Sequence, residues 1–302
     1  MWPDLFRVST SDGSFPVHTW GLMITLAFLA AAGVTQARAR DAGIDGDKLP
    51  GLYLVAFLCG LAGARLLHFT MAEPARFFHD PAVFFRIWEG GFAFYGGVLL
   101  AIAGCFTYAL LLGIPIWKLS DLTSPAIMLG LSLGRIGCFC AGCCHGAVHA
   151  LPAGAENILP EGFAGGRLWA FGQTPFLLAE PFGGVGIQHQ PLLPTQLWES
   201  AAALGLYLLL TWRWRTRRYD GQVFAWLLLT YPLVRSTIEI FRGDAIRGVD
   251  WLGLFSTSQL ISIPVFTAGL VLALLLRGRG LATVERAADG DADLLDELRR
   301  ER

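Results

Sequence analysis

The chain has 302 residues, 54% of them apolar, 12% aromatic and 16% charged, where a soluble domain carries about 25% charged residues. With a mean hydropathy of +0.52 it reads as lipid-solvated, and two soluble domains are excluded although the length would hold them. A net charge of −1 also excludes nucleic acid as a partner, because counterion release from phosphates needs a strongly basic surface.

Residues 1–17 are too polar and interrupted for a cleaved leader and read as mature sequence lying along the interface. Trp20–Val34 is the first apolar run, nearly long enough to cross about 30 Å of hydrocarbon. A polar loop with Arg38, Arg40 and Lys48 leads to a second span, Leu49–Phe69, which contains Arg65. A mixed loop over 73–90 then enters Gly90-Gly91-Phe92-Ala93-Phe94-Tyr95-Gly96-Gly97, from which a third span runs to about Gly113. The fourth, about Leu122–Phe139, includes Pro125 and many small residues, as a helix packed among helices does. Residues 146–194 hold no crossing run and form an extramembrane head. Gln196–Trp212, Gln222–Phe241 and Ser258–Leu276 complete seven spans, and residues 281–302 form a charged tail.

The expected fold is therefore all-α and polytopic, with seven transmembrane helices and a small outward-facing head. Lys and Arg number 14 on the side holding loops 35–48, 114–120, 213–221 and the C-terminal residues from Arg277 on, against 6 on the other. The positive-inside rule then puts the C-terminus in the cytoplasm and the N-terminus outside, together with the head and the Gly-rich ends of spans three and four.

The densest chemistry lies in Gly134-Arg135-Ile136-Gly137-Cys138-Phe139-Cys140-Ala141-Gly142-Cys143-Cys144-His145-Gly146. An arginine at membrane depth costs about 2.5–3.5 kcal/mol on insertion scales unless it faces a polar cavity, so Arg135 asks for an anionic partner. Gly134 and Gly137 strip bulk from around it and let a ligand or helix approach the backbone. In span six, Tyr231, Arg235, Glu239 and Arg242 are spaced 4, 4 and 3 apart and share one helical stripe. Its plain reading is an Arg235–Glu239 pair that locks packing. Adding Arg65 and Arg135 leaves three arginines against one or two acids, a positive excess that a phosphate would neutralise.

These segments resemble the prolipoprotein diacylglyceryl transferase family. Gly134-Arg135-Ile136-Gly137 is similar to the first four residues of its Gly-Arg-x-Gly-Asn signature, and Trp88 to Gly97 resembles its tryptophan, acid and double-glycine segment. Pro194-Thr195-Gln196-Leu197-Trp198-Glu199, Tyr231 to Arg242, and Ser258 to Pro264 are similar to the family's last three spans, and the likeness covers roughly residues 15–277. The resemblance implies an enzyme of the bacterial plasma membrane. It would move the diacylglyceryl group of phosphatidylglycerol onto the lipobox cysteine of a prolipoprotein, forming a thioether and releasing glycerol phosphate. The signal peptide would arrive through the bilayer, and no cofactor is implied. Arg235, Glu239 and Tyr95 would be catalytic, with Arg135, Arg65, Gly134, Gly137, Tyr231 and Arg242 holding the phospholipid.

Several positions depart from the family pattern. Tyr95 stands where the family usually has a histidine taken as the base, and a phenol of pKa near 10 is a poor base at neutral pH. Trp20 replaces a tyrosine, Cys138 the signature asparagine, and Cys143 a glutamate. A divergent paralogue of altered specificity, or one that only binds lipid or signal peptide, is the alternative these changes raise. Cys138, Cys140, Cys143 and Cys144 admit three readings: small unpaired thiols, a disulfide in an oxidising exterior, or a Zn or Cu site. Their spacing matches no paired Cys-x2-Cys pattern, so no metal is assigned.

Overall fold

The computed structural model describes residues 4–10, 13–144, 146, 156–157, 168–171, 174–179, 193–242, 249–251 and 255–277. Most of the expected head, the charged tail and His145 lie outside the described residues. Eight α-helices are present among the described residues: α1 Thr19–Arg38, α2 Leu49–Met71, α3 Pro74–His79, α4 Phe94–Leu111, α5 Ile116–Ala141, α6 Thr195–Arg215, α7 Gln222–Glu239 and α8 Thr257–Arg277. The fold is mostly helical, as expected, but it also contains short antiparallel strand pairs. β1 (Asp4–Thr10) pairs with β2 (Gly13–His18), β4 (Leu168–Phe171) lies between β3 (Glu156–Asn157) and β5 (Thr174–Ala179), and β6 (Val249–Trp251) pairs with β7 (Phe255–Ser256).

Five helical segments among the described residues are long and apolar enough to cross a membrane, not seven: α1, Gly46–Met71, α4, α5 and α8. The two that fall short, α6 and α7, carry the polar residues Gln196 and Glu199, and Arg235 and Glu239. The helices that qualify turn apolar side chains outward, with Leu29, Leu99, Ile102 and Leu274 all exposed, as lipid-facing surfaces require.

The chain divides into two compact units, residues 35–119 and the remainder. In the first unit α2 lies against α4 at backbone distance. A Cβ on Gly63 would overlap the Gly96 carbonyl oxygen, and one on Gly96 would overlap that of Gly63, so only glycine permits this approach. Tyr108 Oη donates to the Lys48 carbonyl at 2.9 Å and Lys48 Nζ to the Leu112 carbonyl at 3.1 Å, tying the far end of α4 to the start of α2. The 73–90 stretch, expected as a loop, is folded into α3 and two 3-10 turns, 81–85 and 87–89.

In the second unit α5 begins six residues earlier than the apolar run, which brings Asp121 inside the helix. Its carboxylate is fully buried and accepts the backbone N–H groups of Gly221 and Phe224, both at 2.8 Å. It thereby caps the N-terminus of α7, where unpaired N–H groups and the helix dipole favour a negative charge. Gly137 lets α1 approach α5, because a Cβ there would stand 2.9 Å from Met23 Cβ. Ser132 and Ser200 bond to each other across α5 and α6 at 3.1 Å in the buried interior.

Candidate active site

Arg135 on α5, Glu199 on α6, and Arg235 and Glu239 on α7 converge. Arg135 Nη2 is 3.0 Å from Glu199 Oε1, Arg235 Nε is 3.9 Å from that same oxygen, and Arg235 Nη2 is 2.6 Å from Glu239 Oε2. All four are largely buried, the carboxylate of Glu199 being only 2% exposed. The expected stripe is real up to Glu239. There α7 ends, and Arg242 instead pairs its backbone with Gly146 in an antiparallel bridge.

The expected positive excess is not what the described residues show. Glu199, on α6, adds a second acid, so Arg135 and Arg235 face Glu199 and Glu239, two charges against two. Charge is matched but hydrogen bonding is not. Glu199 Oε1 lies at ion-pair distance, yet neither arginine aims an N–H along a hydrogen-bond direction at it, so these contacts are electrostatic only. Arg135 Nε and Arg235 Nη1 are buried with no hydrogen-bond partner among the described residues. Unpaired buried donors of this kind are costly, about 1–3 kcal/mol each and more when charged, and they mark where an acceptor belongs.

Arg65 differs from its expected place. Its guanidinium is 1% exposed and donates to four backbone carbonyls of the 83–90 stretch: Phe84 and Arg86, each at 3.1 Å, together with Val83 and Gly90. Four acceptors occupy the group and make it a clamp for that stretch, leaving little for a phosphate. Gly90 and Gly91 both take left-handed φ, 78° and 79°, and a Cβ on Gly91 would strike the His68 ring at 2.7 Å. Beside this clamp lies a cavity of about 120 Å³ lined by Arg65, His68, Glu73, Arg76 and Glu89 among others. Arg76 bonds Glu73 at 3.0 Å and also pairs with Glu89, and its hydrogen bond holds the Glu73 carboxyl below its ordinary pKa. Tyr95 sits in the first turn of α4, 44% exposed, with its ring edge-on to Phe94.

Gly134 is buried, and a Cβ there would meet only Ile24 Cδ1 at an ordinary 3.5 Å. Tyr231 lies on α7 one turn before Arg235 and is partly buried. Beyond Ala141 the chain closes α5 with Gly142 at φ 74°, its N–H donating to Phe139 and that of Cys143 to Cys138, both at 3.2 Å. This turn is anchored to the start of α6, where Gln196 Nε2 donates to the Cys143 carbonyl at 2.8 Å and Thr195 Oγ1 to that of Cys144 at 3.2 Å. All six cysteines are unpaired, so the disulfide reading is not realised.

The sequence model of the prolipoprotein diacylglyceryl transferase family matches residues 7–275 of 302. The chain belongs to that family. It is 29% identical over 260 residues to phosphatidylglycerol–prolipoprotein diacylglyceryl transferase 2 of Clostridium perfringens, covering 85% of this chain and 90% of that one. It is 27% identical over 273 residues to phosphatidylglycerol–prolipoprotein diacylglyceryl transferase of Legionella pneumophila (strain Paris), covering 89% and 96%. A third relative, of the same name and from Methylococcus capsulatus, is 28% identical over 278 residues, covering 90% and 95%. The transferase family match thus runs through both units and includes every residue of the Arg135–Glu199–Arg235–Glu239 cluster.

Proposed function

We propose that this chain is a phosphatidylglycerol–prolipoprotein diacylglyceryl transferase of the bacterial inner membrane. It joins the diacylglyceryl group to the lipobox cysteine thiol of a prolipoprotein in the first step of lipoprotein maturation. The observation that carries the reading is the pair of buried, unsatisfied donors, Arg135 Nε and Arg235 Nη1, beside one shared carboxylate. A phospholipid phosphate arriving there gives both donors acceptors and meets two guanidinium groups whose forks match its oxygens.

The reaction forms a sulfur–carbon bond at the glyceryl carbon and breaks that carbon's bond to the phosphate oxygen. The electron pair leaves on glycerol phosphate, so negative charge grows at the phosphate, where preorganised donors are worth most. In this reading Arg135 and Arg235 hold that phosphate. Glu199 and Glu239 offset the charge of the two guanidinium groups, and Tyr231 and Arg242 extend the same lipid site. Gly134 keeps side-chain bulk away from Arg135, and Gly137 brings α1 against the site. Arg65 acts at one remove by holding the 83–90 stretch, and Tyr95 donates a hydrogen bond. All seven long helices cross the membrane, with the N-terminus outside and the C-terminus in the cytoplasm. A gap between them admits the donor lipid, and the signal peptide enters from the bilayer.

Transfer is measured with labelled phosphatidylglycerol and a lipobox peptide. Arg135→Ala and Arg235→Ala should each lower it by about 10²–10³-fold while the protein stays inserted, as losing one preorganised donor does. Normal transfer by both variants would remove the phosphate clamp. Tyr95→Phe should cost about tenfold or less, the worth of one hydrogen bond. A collapse of turnover in that variant would instead make the phenol the proton acceptor.

A further inference from the structure

The proposed transfer consumes a thiolate, and the position where the family usually offers a histidine holds Tyr95. A different group of side chains can generate one. The Sγ atoms of Cys138, Cys143 and Cys144 all lie within 4.8 Å of one another, and none is oxidised to a disulfide. The chain builds this convergence deliberately. The Gly142 turn folds Cys143 back over Cys138, buried Thr195 and Gln196 pin the carbonyls of Cys144 and Cys143, and Cys144 is held at φ 60°. That left-handed conformation costs a non-glycine residue about 1–3 kcal/mol and is kept where surrounding structure demands it.

The spacing suits one ion. A tetrahedral zinc with Zn–S bonds of about 2.3 Å sets its sulfurs about 3.8 Å apart, within reach of small side-chain rotations from the observed separation. Three thiolates around Zn(II) carry a net negative charge. Arg135, three residues before Cys138 on the same face of α5, and Arg242 both act electrostatically on Cys144, and their positive charges partly offset it.

We propose that Cys138, Cys143 and Cys144 hold a Zn(II) ion whose fourth position takes the acceptor cysteine thiol, so that the metal, not a side-chain base, makes the thiolate. The inference rests on the transferase reading above. Three protein ligands with one open position is the arrangement of catalytic zinc, and a thiol bound to such a cation is deprotonated outright. The acceptor S–H gives its proton to water, and the metal-held sulfur forms its bond to the glyceryl carbon. The carbon–oxygen bond to phosphate breaks with its electron pair going to glycerol phosphate, which Arg135 and Arg235 receive. The neutral thioether is a poorer ligand than a thiolate and leaves, with no change of oxidation state at the metal. Cys138 and Cys143, two of the four departures from the family pattern, become ligands, and they compensate for another, Tyr95.

The test uses the full chain in nanodiscs containing phosphatidylglycerol. It should hold about one zinc per chain. After exchange to Co(II) it should show a thiolate charge-transfer band that shifts when lipobox peptide is added but not when the peptide's cysteine is serine. Cys138→Ser, Cys143→Ser and Cys144→Ser should each lose the metal and lower transfer by about 100-fold or more, the usual worth of a proton acceptor. Cys105→Ser, in α4, should retain both, and Cys143→His should restore metal binding, separating ligand loss from misfolding. Transfer by metal-free protein, copper in place of zinc, a disulfide within the triad of active protein, or a cobalt band indifferent to the peptide would each overturn the proposal. Arg135→Ala should keep the peptide-dependent shift while losing transfer. Protein that shows the shift but never releases glycerol phosphate supports the thiol site and overturns the transferase reading instead.

Discussion

Glu199 is the residue on which two arginines depend. It is buried, its Oε1 stands 3.0 Å from Arg135 and 3.9 Å from Arg235, and Arg235 is shared with Glu239. Removing one member of a buried ion pair leaves an uncompensated charge and costs about 3–5 kcal/mol, far more than the pair contributes while intact. Glu199→Gln keeps the shape and removes the charge. It should lower the thermal unfolding temperature in detergent and reduce transfer, whereas Glu199→Asp should fall between. An unfolding temperature equal to wild type would show that Arg135 does not need this carboxylate. The Arg235–Glu239 contact is legible in the sequence because i,i+4 spacing fixes it within one helix. The Arg135–Glu199 contact is not, since 64 positions and two helices separate the partners and no local period encodes their meeting. Arg65 escaped for the same reason: its acceptors are carbonyls, which every residue carries, supplied by a stretch that composition marks only as a loop.

Helix boundaries divide along similar lines. The starts of α2 at Leu49 and α7 at Gln222 coincide with the apolar runs. α5 begins ahead of its run because Lys118, Ser120 and Asp121 interrupt the apolar pattern, although Asp121 is buried against the start of α7. The β1–β2 pair has a signal in the turn-forming residues Ser11, Asp12 and Gly13 between two runs of strand-forming residues, which long apolar runs do not register. Asp121 itself makes a prediction at this scale. Its two bonds to Gly221 and Phe224 set where α7 begins, and through α7 the depth of Arg235. Asp121→Ala should destabilise the protein by about 1–2 kcal/mol, the upper range for a lost N-cap, and Asp121→Asn by less because its carbonyl still accepts. Equal stability of wild type and Asp121→Ala in a denaturant titration would refute the cap.

For the whole molecule the deciding question is whether α6 and α7 cross the bilayer, since composition alone admits five crossing helices among the described residues. Their polar side chains are turned away from lipid: Gln196, Glu199, Arg235 and Glu239 are all buried. Their outward faces are apolar, with Leu204, Leu208, Trp212 and Leu233 exposed. Averaging over a helix counts both faces alike, which is why these two fail a hydropathy test that a lipid-facing surface would pass. The turn joining them carries interfacial chemistry, with Arg213 over the Trp226 ring at 4.8 Å and Arg217 over that of Trp214 at 3.5 Å. Five and seven spans both leave the termini on opposite sides, so the termini cannot separate the two cases. The 216–221 turn can. With seven spans it lies in the cytoplasm, opposite the 146–194 segment; with five, both lie on one side. A protease site inserted between Arg218 and Tyr219 should be cut in inverted membrane vesicles and protected in intact spheroplasts, while a site within 158–167 should behave in the opposite way. Cutting of both sites from the same side would leave α6 and α7 outside the bilayer, and would put the Arg135–Glu199–Arg235 cluster where no phospholipid headgroup could be enclosed by it.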